Sequence, residues 1–135
     1  MLNLEGKTVV VVDDDIPSLR YYETVLRNTG CNILNFKNGR DFTAFLSEKT
    51  EKIDIVFMDY LIPFINGVDC IRILRKEDRT VPVIMLTAYY SDQARNDAFV
   101  AGCTEYILKP VFPEKLIQLL DKYLIPDHSK ISSLF

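Results

Sequence analysis

Thr8-Val9-Val10-Val11-Val12 runs straight into Asp13-Asp14-Asp15, and Ile53-Asp54-Ile55-Val56-Phe57-Met58 runs the same way into Asp59. Short, bounded, β-favouring apolar runs of this kind read as buried strands. Carboxylates at the ends of such strands lose hydration beside an apolar core. They also repel one another unless a cation or a cationic side chain compensates them. The two strand ends therefore point to a metal site.

Two further apolar runs extend the pattern. Val81 to Leu86 ends in Thr87 and Ala88, and Tyr106 to Leu108 ends in Lys109 and Pro110. Strands are expected over Thr8–Val12, Asn32–Phe36, Ile53–Met58, Val81–Leu86 and Glu105–Leu108, alternating with segments of helical period. Such alternation implies an α/β domain with a five-stranded parallel sheet, doubly wound as (βα)5 with helices on both faces. In the first helix Leu19, Tyr22, Val25, Leu26 and Thr29 face inward, with Pro17 near the start and Gly30 after the end. Asn38 caps the second, which turns Phe42, Phe45 and Leu46 inward, and the third runs over about Val68–Lys76. The fourth, Ser91 to Ala101, offers the core only Ala94, Ala98 and Ala101, so a weakly anchored helix is expected there. The fifth, Pro113 to Leu124, places Leu116, Leu119, Leu120 and Tyr123 inward.

The 135 residues, 48% of them hydrophobic, suit one domain, expected over residues 1–125 with a tail over 126–135. A net charge of −3 and a pI near 5.1, with Lys and Arg scattered, argue against direct nucleic-acid binding. Cys31, Cys70 and Cys103 are odd in number and far apart, and are expected to be reduced core thiols. The single histidine, His128, lies in the polar tail, so neither a zinc cluster nor a His-based dyad can be assembled. No apolar stretch approaches the roughly 20 residues that span a bilayer, and Met1 to Thr8 lacks a secretory pattern. A cytoplasmic protein without membrane contact is expected.

In doubly wound sheets, ligands bind beyond the carboxyl ends of the strands near the point where strand order reverses. Asp13, Asp14, Asp59, Thr87 and Lys109 all fall there. Carboxylate oxygens with room for water suit Mg²⁺, which is typically shared with phosphate oxygens. A carboxylate can itself take phosphate as an aspartyl-phosphate, and Asp59, alone at its strand end, is the strongest candidate. The transition state spreads charge over three equatorial oxygens, which Mg²⁺, the Lys109 ammonium and the Thr87 hydroxyl could each contact.

Through VVVVDDD, VFMDYLIPFINGVD, VIMLTA and YILKP, in that order, the chain resembles the receiver domain of two-component response regulators over roughly Thr8 to Leu124. The resemblance implies a flavodoxin-like fold and a phosphorelay switch rather than an enzyme, one that assists its own phosphorylation and dephosphorylation. It implies Asp59 as phosphoacceptor, Asp14 and Asp59 as direct Mg²⁺ ligands, Asp13 as a ligand mainly through water, and a ligand from the Leu61 backbone carbonyl. It further implies Thr87 and Tyr106 as a switch pair and a cis Lys109–Pro110 peptide. The expected phosphodonor is a histidine kinase or phosphotransfer protein. A downstream protein would contact the fourth helix, fifth strand and fifth helix.

The family pattern is not followed everywhere. Ile62 stands where receivers often have Met, and Asn66 where they often have Asp; neither is a proposed ligand. Leu61 and Tyr89 occupy positions whose side chains in the family flank the route of attacking water, and neither can orient that water well, which implies a long-lived aspartyl-phosphate. Leu-Glu-Gly-Lys-Thr at the start and the Met-Asp-Tyr stretch look like receivers attached to hybrid histidine kinases. Two rivals stand beside this reading. A haloacid-dehalogenase-type phosphatase would want a second Asp where Leu61 stands, and a degenerate receiver that only binds partners would not need all the ligands present here.

Overall fold

The computed structural model describes residues 2–48 and 51–126. The expected tail, with His128, lies outside the described residues apart from Pro126. Strands and helices alternate along the chain: β1 (Thr8–Val12), α1 (Ile16–Leu26), β2 (Asn32–Phe36), α2 (Gly39–Glu48), β3 (Ile55–Met58), α3 (Gly67–Glu77), β4 (Val83–Thr87), α4 (Asp92–Ala101), β5 (Glu105–Leu108) and α5 (Pro113–Leu124). The strands form one parallel sheet in the order β2-β1-β3-β4-β5. The order reverses at β1, so a crevice opens beyond the ends of β1 and β3.

Two apolar layers follow from the two-residue period of the strands. Val9, Val11, Ile55, Phe57, Ile84 and Leu86 face α1 and α5, where they meet Leu19, Tyr22, Leu26, Leu116, Leu119 and Leu120. Val10, Val12, Val56, Met58, Val83 and Met85 face α2, α3 and α4, where they meet Phe42, Leu46, Ile71, Leu74 and Ala98. All three inner strands are buried along their whole length, whereas β2 and β5 at the edges are only partly covered. Covered on both faces, the inner strands must read as continuous apolar runs, which is how they stand out in the sequence.

Several element boundaries differ from expectation. β4 starts at Val83 rather than Val81, because Pro82 has no N–H to give the ladder; only its carbonyl takes part, accepting from Val56 N at 2.9 Å. β3 starts at Ile55 rather than Ile53, where the Asp54 side chain instead caps the sheet by accepting from Thr8 N at 2.8 Å. Helix α1 ends at Leu26 and tightens into a 3-10 turn over Arg27–Thr29, closed by Gly30 at φ 79°. Tyr123 packs half-buried against the core with its hydroxyl on Glu105, and Leu124 joins the buried face beside it.

Cys31, Cys70 and Cys103 are free, the latter two buried and Cys31 half-buried, in keeping with reduced thiols. Among the described residues no helix is long and apolar enough to cross a membrane.

Candidate functional site

Backbone pairing continues one residue past the strands and so aims the acidic side chains. Asp13 N donates to Phe36 O at 3.0 Å, Asp59 N to Val12 O at 2.9 Å, and Lys109 N to Thr87 O at 2.9 Å. Asp13, Asp59 and Lys109 thereby converge at the reversal point. Lys109 Nζ lies 2.6 Å from Asp13 Oδ2 and 3.2 Å from Asp59 Oδ2, with Ser18 Oγ farther out at 3.4 Å. The Lys109–Pro110 peptide is cis, as the resemblance implies.

Two carboxylates share this one ammonium. Burial raises the proton affinity of Asp13, and Lys109 offsets only part of that. Burial alone would lower the affinity of Lys109, yet Asp13 and Asp59 together hold it above the ordinary lysine value, so it stays charged at neutral pH. The arrangement is a protonated lysine between two carboxylates, with excess negative charge left over for a cation.

The donor set fits Mg²⁺. Asp13, Asp14 and Asp59 each offer an oxygen within 4.8 Å of the others, and hard oxygen ligands at the mouth of a water-accessible crevice are what this ion takes. The hydrogen bonds divide the roles. Asp13 Oδ1 accepts from Asp15 N at 2.9 Å and Oδ2 is taken by Lys109. Among the described residues nothing engages Asp59 Oδ1 or the exposed Asp14 carboxylate. Asp14 and Asp59 thus each keep an unengaged oxygen toward the crevice, whereas both Asp13 oxygens already accept hydrogen bonds.

Thr87 is buried at the end of β4, and its Oγ1 accepts from Tyr89 N at 3.1 Å, which leaves the hydroxyl proton to donate elsewhere. Half-buried Tyr106 packs on the α2–α4 layer and donates its hydroxyl to Tyr89 O at 2.5 Å. Both residues therefore meet at the backbone of Tyr89. Burial pushes the Tyr106 phenol up to about 12. Leu61 is 58% exposed and Tyr89 40%, and the Tyr89 ring lies 5.0 Å from that of Tyr60.

Other residues shape the site around these. Asp15 caps α1 by accepting from Ser18 N at 3.1 Å and takes the Ser18 hydroxyl at 2.7 Å, which sets Ser18 beside Lys109. Ser18 also holds the Asp15 carboxyl below its usual range. Gly67 closes the loop after Asp59: its N–H meets Tyr60 O at 2.9 Å, and a Cβ there would lie 2.3 Å from Asp59 O. Only glycine permits that approach. Asn66 caps α3, its side-chain oxygen accepting from Asp69 N at 2.9 Å.

The profile of the response regulator receiver domain matches residues 9–121. The phosphate regulon transcriptional regulatory protein PhoB of Pseudomonas aeruginosa is 30% identical over 121 residues, covering 88% of this chain and 52% of that protein. This chain spans 27% of a second relative, the transcriptional regulatory protein ZraR of Salmonella typhimurium, at 28% identity. Among solved structures, the BeF3-activated DrrB receiver domain is 28% identical with a TM-score of 0.77, covering 92% of this chain and 98% of that one. The receiver domain of sensor histidine kinase PA1611 from Pseudomonas aeruginosa PAO1 has a magnesium ion coordinated in its active site cleft. It is 26% identical with a TM-score of 0.77, covering 87% of this chain and 97% of that one.

Proposed function

This chain belongs to the response regulator receiver domain family, and from that premise we propose that Asp59 is the phosphoacceptor of a two-component phosphorelay. The group comes from a phosphohistidine on a histidine kinase or phosphotransfer protein. Mg²⁺ would be held by Asp14, Asp59 and the Leu61 carbonyl, with Asp13 contacting it through water. The observation that carries the reading is one lysine, Lys109, bridging Asp13 and Asp59 at 2.6 and 3.2 Å beside a free Asp59 oxygen.

An Asp59 oxygen forms the new bond to phosphorus as the bond to the donor imidazole breaks, its electron pair returning to the ring nitrogen. Mg²⁺ supplies positive charge against the phosphoryl oxygens. Lys109 already touches an Asp59 oxygen and can neutralise a phosphoryl oxygen from the same position. Thr87 donates its spare hydroxyl proton to another. A cleft of about 600 Å³ opens beside Lys109, lined by Tyr21, Tyr22, Pro110 and Phe112, with room for a donor side chain.

Movement of Thr87 toward the phosphoryl group would pull on Tyr89, whose carbonyl holds Tyr106. That links the site to the surface of α4, β5 and α5, where a downstream protein would read the change. α4 is suited to moving, since only Ala94, Ala98 and Ala101 anchor it in the core.

Intact mass after incubation with acetyl phosphate tests the reading. An adduct that forms with Mg²⁺ and not without it is the expected result; no adduct under either condition favours a domain that only binds partners.

The apolar Leu61 and the aromatic Tyr89, whose ring lies 5.0 Å from that of Tyr60, are poorly suited to orient an attacking water. The double variant Leu61→Asn with Tyr89→Glu is therefore expected to lose its phosphoryl group about tenfold faster, because a positioned nucleophile is what hydrolysis lacks. An unchanged decay rate would remove these residues from the control of lifetime.

A further inference from the structure

We infer that the start of α2, through Gly39 and Arg40, is a positioning element for Mg²⁺: it fixes the loop that carries the Leu61 carbonyl. This rests on the metal site proposed above. The loop between β3 and α3 is tied down at its base by Gly67. Its tip is tied to a different element. Pro63 O accepts from Gly39 N at 3.1 Å and from Ile65 N at 2.9 Å, which folds the chain tightly around Phe64.

Phe64 has φ 71°, a left-handed backbone that a bulky residue rarely adopts unless its surroundings hold it there. The Arg40 guanidinium lies 4.1 Å from the centroid of the Phe64 ring and supplies that hold from α2. Gly39 brings α2 close enough to do so. A Cβ on Gly39 would stand 2.1 Å from Ile65 O, 2.8 Å from Ile65 Cβ and 2.9 Å from Cys70 Sγ. The first of these is backbone, so any side chain at Gly39 must push the loop away. None of the Gly39, Arg40 or Phe64 contacts reaches a carboxylate of the site, so their effect must pass through the loop. Mg²⁺ demands near-ideal octahedral geometry, and a carbonyl displaced by a fraction of an ångström is a poorer ligand.

Mg²⁺ titration of the unphosphorylated protein, followed by the backbone amide resonances of Leu61 and Ile62 at constant ionic strength, tests this. Groups that orient metal ligands are worth about 10–100-fold in affinity. Gly39→Ala is expected to weaken binding about tenfold, at the lower end of that range, and Arg40→Ala about threefold, less because the Arg40 contact is a single cation–π contact at an exposed ring. Gly30→Ala is the control. It strains a left-handed position, φ 79°, with no backbone within 3.4 Å, so it should lower the melting temperature and leave Mg²⁺ affinity unchanged. If Gly39→Ala does not fold, Arg40→Ala decides alone. Parental affinity in Gly39→Ala and Arg40→Ala overturns the inference while leaving the metal site intact. A parent protein that binds no Mg²⁺ overturns the site and the inference together.

Discussion

Asp59→Asn loses the phosphoryl adduct completely, while Asp13→Asn and Asp14→Asn retain slower labelling. The expectation follows from what each carboxylate is free to do. An amide is not a nucleophile toward phosphorus, so the variant must find another acceptor. Asp13 is buried with each oxygen already holding a hydrogen bond, to Asp15 N and to Lys109 Nζ. Asp14 is exposed to solvent and lies beyond hydrogen-bond reach of Lys109. Neither can present a free oxygen beside the ammonium as Asp59 does.

The fold should tolerate the change, since Lys109 keeps its shorter contact to Asp13. A time course of intact mass with acetyl phosphate and Mg²⁺ checks it. Labelling of Asp59→Asn at the parental rate would move the phosphoacceptor elsewhere.

Asp13, Asp59 and Thr87 were legible because each ends a run whose burial on both faces removes polar residues from everything before it, whereas Lys109 follows the half-covered edge strand β5 and was marked by the Lys-Pro pair that ends its shorter apolar run. The abrupt change of residue type marks the sheet's edge. What the runs could not convey was contact. Lys109 meets Asp13 across 96 positions of sequence, and its bridging of Asp13 and Asp59 appears only when β1, β3 and β5 are brought into one sheet.

Strand starts were less legible than strand ends for a physical reason. Ile53 and Val81 are buried like strand residues, so the apolar signal begins before the ladder does. Thr29 likewise keeps the helical period, but Gly30 in left-handed conformation has already tightened the chain into a 3-10 turn. The helix α4 reads as weakly anchored, and its inward face is indeed three alanines. Its C-terminal end is nevertheless capped from outside, where Arg75 Nε on α3 donates to Gly102 O at 2.9 Å. No pattern local to Arg75 announces that role, nor does any local pattern foretell the crowding of Gly39 against Ile65.

Lys109→Ala slows adduct formation by about 10²–10³-fold, the usual cost of removing one preorganised donor to developing charge. It also changes how stability depends on pH. Burial has raised the folded-state proton affinity of Asp13 above its unfolded value, so the native protein prefers Asp13 protonated. That contribution is fully present below the unfolded value of about 3.9 and is lost as pH rises through the higher folded value. Lys109 limits the loss in the parent by pairing with the ionised form. Without Lys109, Asp13 is an uncompensated buried charge at neutral pH, a situation that costs about 3–5 kcal/mol in broken buried pairs. Urea denaturation without Mg²⁺ should therefore find Lys109→Ala close to the parent near pH 4 and clearly weaker at pH 7. Lys109→Arg separates the two roles: it keeps the charge and much of the neutral-pH stability. Its planar fork cannot reproduce the point contact of an ammonium between two carboxylates, so the labelling rate stays low. Equal stability losses at both pH values would mean that Lys109 acts by packing rather than by charge.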